Sequence, residues 1–330
     1  MFVNQKSPAL SNSVDDVAEP TFRKEAELDK EDLEIFVTDD STACECLQIA
    51  PILGGKVAIL FLLSSPDYVT TISVIFIVNG FEPESAHGLL VTSEWLMSLS
   101  ASPSGELFAL EATTWIWRFA GGKRSRDKIS NESLRRIWAK DPGGPIAIGS
   151  EGQAYQLVSE LWQPIPSIAP IQYFDVHGRV GHGIVACGDQ GTLHRLADGG
   201  HWQSIELHRG DQFRGVDLSS NGVIRLAGDN GVCIKLENDE LTQLIGSELT
   251  YFAVRSYKSH SYWGDEVGVY IEKDGELEPL METGIASDLR SDEDFLYVSG
   301  TDTAWRFDGA KWKTLTLIYD DGFKLDGETF

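Results

Sequence analysis

From about residue 140 to 317 the chain repeats one pattern of apolar and polar positions. An apolar strand meets a Gly-Asp-type turn, then come a second strand, a short polar turn, and an aromatic residue or leucine three residues before another apolar one. The copies read PIAIGSEGQAYQLVSELWQPI (145–165), IVACGDQGTLHRLADGGHWQSI (184–205), VIRLAGDNGVCIKLENDELTQL (223–244), SYWGDEVGVYIEKDGELEPL (261–280) and FLYVSGTDTAWRFDGAKWKTL (295–315). Their first turn glycines, Gly149, Gly188, Gly228, Gly264 and Gly300, are spaced by 39, 40, 36 and 36 residues. The anchor of the last strand keeps step as Trp162, Trp202, Leu241, Leu277 and Trp312. Two landmarks held in register through five copies mark a repeat architecture.

An earlier copy, ELFALEATTWIWRF (106–119), sets Trp117-Arg118-Phe119 against Trp305-Arg306-Phe307 and places Ala112 at the glycine position. A degenerate first copy pairs Val57–Leu63 with Tyr68–Val78 around the turn Ser64-Ser65-Pro66-Asp67. Leading strands are expected at Trp95–Leu99, Ile171–Val176, Phe213–Leu218, Tyr251–Val254 and Ile285–Leu289. Four short strands in about 40 residues are the content of one propeller blade. The Gly-Asp and Asn-Gly pairs are expected to supply the positive φ angles of tight hairpins. One four-stranded sheet cannot bury both faces, so blades must stack and the ring must close.

The segment MSLSASPSGELFALEATTWIWRF (97–119) resembles a WD40-type blade, with Ser102-Pro103-Ser104-Gly105 at the first turn and Trp115–Phe119 as the third strand. Leu218-Ser219-Ser220-Asn221-Gly222 is a looser echo, and the resemblance covers residues 55–317 as architecture. No blade carries a Gly-His or Trp-Asp dipeptide, a sialidase Asp box or a kelch glycine doublet. What the resemblance implies is an all-β single β-propeller of seven four-stranded blades, six being the alternative, used as a rigid binding platform. It implies no activity, because fold does not fix function.

The ends carry weaker signals. Residues 1–24 read as a flexible segment ahead of a propeller at 25–330, and residues 1–34 contain no apolar core of a signal peptide. Leu33–Val37 or Cys46–Ile49 is expected to close the ring by pairing with the last blade near Thr314–Tyr319, with a short helix across Glu25–Phe36 as the alternative.

Composition narrows the partners. Fifty-one acidic residues against 27 basic ones give a net charge of −24, a field that repels phosphates and anionic membranes and attracts basic proteins. Cys44, Cys46, Cys187 and Cys233 form neither a disulfide framework nor a zinc pattern, so a reducing, cytoplasmic setting is expected. The most apolar stretch, 57–78, is cut by its own turn into pieces far shorter than a membrane span.

Catalytic signatures are missing: there is no Gly-x-Ser-x-Gly elbow, P-loop, GxGxxG or HExxH. Five of the seven histidines lie within 177–208. His177 and His182 are assigned to one loop, His194 to a strand, and His201 and His208 to later turns, which sets no three nitrogens on one centre. Asp189, Asp229, Asp265 and Asp302 recur at the turns, where they stabilise hairpins, the alternative being a ring of carboxylates that coordinates Ca²⁺ or forms an acidic rim. No metal or cofactor is expected, and no catalytic residue is assigned.

Two charge features point to partners. Residues 237–302 hold 16 acids against four Lys/Arg, and Asp265, Glu266, Glu272, Asp274, Glu276 and Glu278 within one blade are the candidate contacts for a basic protein. Residues 118–140 hold eight basic groups, among them Lys123, Arg124 and Arg126, in what reads as a long insertion between blade strands. A compact acidic chain without catalytic motifs resembles bacterial immunity proteins, which cap basic toxins. That resemblance implies a non-enzymatic antitoxin, monomeric alone, binding one basic protein. A scaffold subunit, or an enzyme with its site at the central channel, is the alternative.

Overall fold

The computed structural model describes residues 34, 36, 37, 39, 41–140 and 143–330. Among them the strands form seven antiparallel sheets, six of four strands and one of five, each a simple up-and-down meander. Blades 1 to 7 span 43–92, 96–128, 134–164, 173–204, 213–243, 253–282 and 288–326. The innermost strands are Ala43–Ile52, Leu96–Ala101, Leu134–Trp138, Tyr173–Arg179, Phe213–Leu218, Ala253–Tyr257 and Asp288–Ser291. Each packs beside the next and the last beside the first, so the ring is closed. The protein is a seven-bladed all-β propeller.

Seven hydrophobic clusters fill the seven blade interfaces. Tyr173, Ile184 and Trp202 of blade 4 pack on Trp138 and Ile148 of blade 3, for example, and Phe307 and Trp312 of blade 7 pack on Tyr257 and Tyr262 of blade 6. The tryptophan register holds: Trp162, Trp202 and Trp312 pair with Leu157, Leu196 and Phe307 on the preceding strand of their blades. Trp202 and Trp312 are buried, while Trp162 is half-buried and meets Phe108 edge-on at 6.5 Å.

The expected positive φ holds at the Asn-Gly pair Asn230-Gly231, but the glycines of the Gly-Asp-type turns recur for a different reason. In those turns the positive φ is carried by their neighbours, such as Gln190-Gly191 and Asn230-Gly231. At Gly149, Gly188, Gly228 and Gly264 the loop entering the same or the next blade passes so close that an added Cβ would lie 2.2–2.5 Å from a backbone oxygen. Only a residue without a side chain admits that approach.

Two expectations are corrected. Residues 118–140 are no insertion: Lys123–Lys128 is the outermost strand of blade 2, and Leu134–Trp138 is the innermost strand of blade 3. The ring does not close by the expected pairing either. Cys46–Ile49 lies in the innermost strand of blade 1, and Thr314–Tyr319 pairs with the chain's own final strand, Phe323–Asp326. Glu34, Phe36 and Val37 are helical, and the flexible segment expected at 1–24 lies outside the described residues. Closure rests on side-chain packing of Ile49 and Phe61 with Tyr297 and Leu315, on a backbone bond from Cys46 N to Thr301 O at 3.1 Å, and on Arg306 and Lys313 of blade 7, which donate to Gly80 O and to Glu82 of blade 1.

Candidate functional site

The innermost strand of every blade leaves one edge of backbone groups without a ladder partner, and those groups need acceptors and donors. Polar side chains on the neighbouring innermost strand supply several of them. Gln48 accepts from Leu99 N, Ser98 from Ile137 N at 3.1 Å, Ser100 from Ala139 N at 3.0 Å and Asp175 from Val216 N at 3.0 Å. His177 Nδ1 accepts from Leu218 N at 2.8 Å, and Arg255 donates to Leu289 O at 3.0 Å. A polar belt therefore runs round the channel and stitches blade to blade.

Blade 3 then bridges the channel. Blades 3 and 7 are separated by three blades on one side and two on the other, so contacts between them cross the bore. Arg136 donates through Nε to Asp175 at 2.9 Å and reaches Asp288 at 3.0 Å with its other end. Lys140 Nζ donates to Ser291 O at 3.0 Å. Between these bridges the Trp138 indole faces the guanidinium groups of Arg290 and Arg255, 5.7 and 6.0 Å from its ring. Asp217 receives Arg255 and the Ser256 hydroxyl.

This belt makes folding sensitive to acid. Burial, then the charge of Arg255, pushes His177 down to about 3 from its ordinary 6.5. The unfolded chain takes up that proton near pH 6.5 and the folded chain only near 3, so this group leaves stability constant above 6.5 and lowers it as pH falls between those values. The expected loss is about 2 kcal/mol from pH 7 to pH 5. Urea midpoints at the two pH values measure it, and a His177→Gln variant should flatten that part of the profile. Burial opposes ionisation of Asp175 and Asp217. Arg136 beside the first, and Arg255 and Ser256 beside the second, nevertheless hold both carboxyls below the usual range. A second loss follows below about pH 4 as they are forced to protonate.

The six acids expected as one patch do not form one. Asp265 is 0% exposed and caps its own turn, accepting from Val267 N at 2.8 Å and Gly268 N at 2.9 Å. Glu272 is tied to Arg225 at 2.8 Å, and Glu278 pairs with Lys273. Glu266 is exposed at one end of blade 6, while Asp274 and Glu276 are exposed at the other. In a meander the first and third turns of every blade share a face. That face carries exposed Asp239 and Glu240 of blade 5, Asp274 and Glu276 of blade 6, and Glu293 and Asp294 of blade 7. These six make an acidic crescent across three adjacent blades, interrupted by exposed Lys258 of blade 6 and Lys311 of blade 7 on the same face.

The basic residues disperse likewise. Arg126 pairs with Glu94 and Glu111 and stacks on Trp115 and Trp117, while Arg118 is held by Glu106 and Glu160. Lys123 and Arg124 remain at the surface. They rim a cleft of about 660 Å³ between blades 1 and 2, on the same face as the crescent, whose apolar lining includes Leu53, Ile77 and Phe119. His177 is a buried strand residue rather than a loop histidine, and His194 is also buried, 2.7 Å from the Tyr173 hydroxyl. Among the described residues no three His, Cys, Asp or Glu side chains are placed to hold a metal ion.

The belt itself was missed in the sequence. Its signal is a polar residue inside the apolar leading strand of blade after blade: Gln48, Ser98, Arg136, Asp175, Asp217, Arg255 and Asp288.

No family model and no curated protein matches the sequence. Among solved structures, the WD40 β-propeller domain of Doa1 is similar at a TM-score of 0.63 and 12% identity, covering 80% of this chain and 94% of that one. YCF48, solved bound to a D1 peptide, is similar at a TM-score of 0.57 and 14% identity, covering 79% of this chain and 90% of that one. At these identities the likeness shows the fold.

Proposed function

We propose that this chain is a non-catalytic protein-binding propeller whose acidic crescent on blades 5 to 7 captures a basic protein. The observation that carries this reading is the exposure of Asp239, Glu240, Asp274, Glu276, Glu293 and Asp294 on one face of a rigid ring. Fixed carboxylates of one sign raise the rate of encounter with a basic surface and disfavour acidic competitors. The channel carboxylates Asp175, Asp217 and Asp288 are buried and bonded to Arg136, Arg255 and Arg290, which favours a structural role for them over catalysis. A propeller of similar fold bound to a peptide is in keeping with capture of a polypeptide. In its specific form the proposal is an immunity-type inhibitor, monomeric alone and acting in the cytoplasm, that caps one basic toxin. Co-purification from the native host followed by native mass spectrometry tests it. One basic protein at 1:1 stoichiometry is expected, and several partners at once would favour the scaffold role instead.

A second reading rests on the cleft between blades 1 and 2. Its apolar lining residues, with Lys56, His87, Lys123 and Arg124 beside them, suit a short acidic peptide with an apolar anchor. A Lys123→Glu/Arg124→Glu variant separates the two, since it should leave capture through the crescent intact.

A further inference from the structure

We propose that the central channel holds a small inorganic anion of the halide class, bound by the Arg290 guanidinium where blades 3, 6 and 7 meet. Arg290 is 5% exposed and donates through Nε to Asp288 Oδ2 at 3.0 Å. Its two remaining nitrogens, Nη1 and Nη2, are buried and have no hydrogen-bond partner. Buried polar groups are nearly always satisfied, and an orphaned charged donor is among the costliest exceptions. Two donors on one guanidinium call for an acceptor.

The charges around it specify which kind. Arg290, Arg255 and Lys140 all gather on the strand Asp288–Ser291, the last two by donating to Leu289 O and Ser291 O, and Arg136 and Arg179 bring further positive charge. Within the channel four of these cations, Arg136, Lys140, Arg255 and Arg290, face three carboxylates among the described residues, Asp175, Asp217 and Asp288, while Arg179 lies at the mouth with the acidic turn Asp292, Glu293 and Asp294. His177 is neutral. One positive charge is left over in a chain whose net charge is −24. Burial, reinforced by the neighbouring arginines, pushes Lys140 down to about 8 and Arg290 to about 10. Water would satisfy the donors and leave the excess charge. An anion answers both.

Size follows from the walls. The Arg136 bridge spans the channel on one side of Arg290 and the Lys140 bridge on the other, with the Trp138 ring opposite. A monatomic ion suits that enclosure better than a phosphate.

The test is thermal unfolding at fixed ionic strength with chloride or bromide exchanged for gluconate, in the parent and in Arg290→Met. The parent is expected to gain about 2–4 °C in Tm at a halide concentration ten times the dissociation constant, and the variant to show no halide-specific gain. Equal Tm in all anions, or a gain retained by the variant, overturns the proposal. Crystals of the parent grown in bromide read the site even if the variant does not fold. An anomalous peak within hydrogen-bonding distance of the Arg290 Nη atoms supports the assignment, and its absence there overturns it.

Discussion

Replacing Arg136 by Met is expected to destabilise the propeller by about 3–5 kcal/mol, the range seen when one partner of a buried ion pair is removed. The side chain holds Asp175 at 2.9 Å and Asp288 at 3.0 Å, and both carboxylates are almost wholly buried. Without the guanidinium they retain fewer cations in a medium that penalises bare charge. Adding Asp288→Asn to the Met variant should recover part of the loss, because one of the stranded charges disappears. The comparison is a urea midpoint against Lys128→Met, an exposed control expected to change stability by less than about 0.5 kcal/mol. Equal midpoints for Arg136→Met and the control would mean that the bridge across the channel contributes nothing to the closed ring.

Trp202→Ala and Trp312→Ala should each cost about 3–5 kcal/mol, the usual penalty for emptying a buried aromatic site. Trp202 lies 5.6 Å from the Tyr173 ring at the interface of blades 3 and 4, and Trp312 stacks on Phe307 at 4.5 Å at the interface of blades 6 and 7. Trp162→Ala should cost less, about 1–3 kcal/mol, since that side chain is only half-buried. The ordering is the discriminating result. If Trp162 proves as costly as Trp202, exposure does not govern these anchors.

The repeat was legible because it rests on local chemistry that recurs. A turn that must pass close to another backbone keeps its glycine, and a strand that must fill an interface keeps its tryptophan. Gly188 and Trp202 thus announced blade 4 from sequence. The leading strand of blade 3 was hidden for the opposite reason: Leu134-Arg135-Arg136-Ile137-Trp138 carries two arginines and reads as a polar loop until the channel supplies Arg136 with Asp175 and Asp288. Closure of the ring was illegible because it depends on contacts between residues such as Ile49 and Leu315, more than 260 positions apart, with no local signature. The charge of 237–302 was read correctly as an excess, but sequence could not divide buried Asp265 and paired Glu272 from exposed Asp274 and Glu276. That division needs the third dimension.

Capture of a basic protein by the crescent, as proposed, is tested most directly by the association rate of the co-purified partner. The rate should be measured across a salt series for the parent and for a variant carrying Asp239→Asn, Glu240→Gln, Asp274→Asn, Glu276→Gln, Glu293→Gln and Asp294→Asn. The parent should associate fast at low salt and slow steeply as salt rises. The variant should lose about tenfold or more in rate at low salt and most of the salt dependence, with dissociation little changed. A variant that keeps the parent's rate and salt slope would contradict the account and leave the crescent as surface charge for solubility.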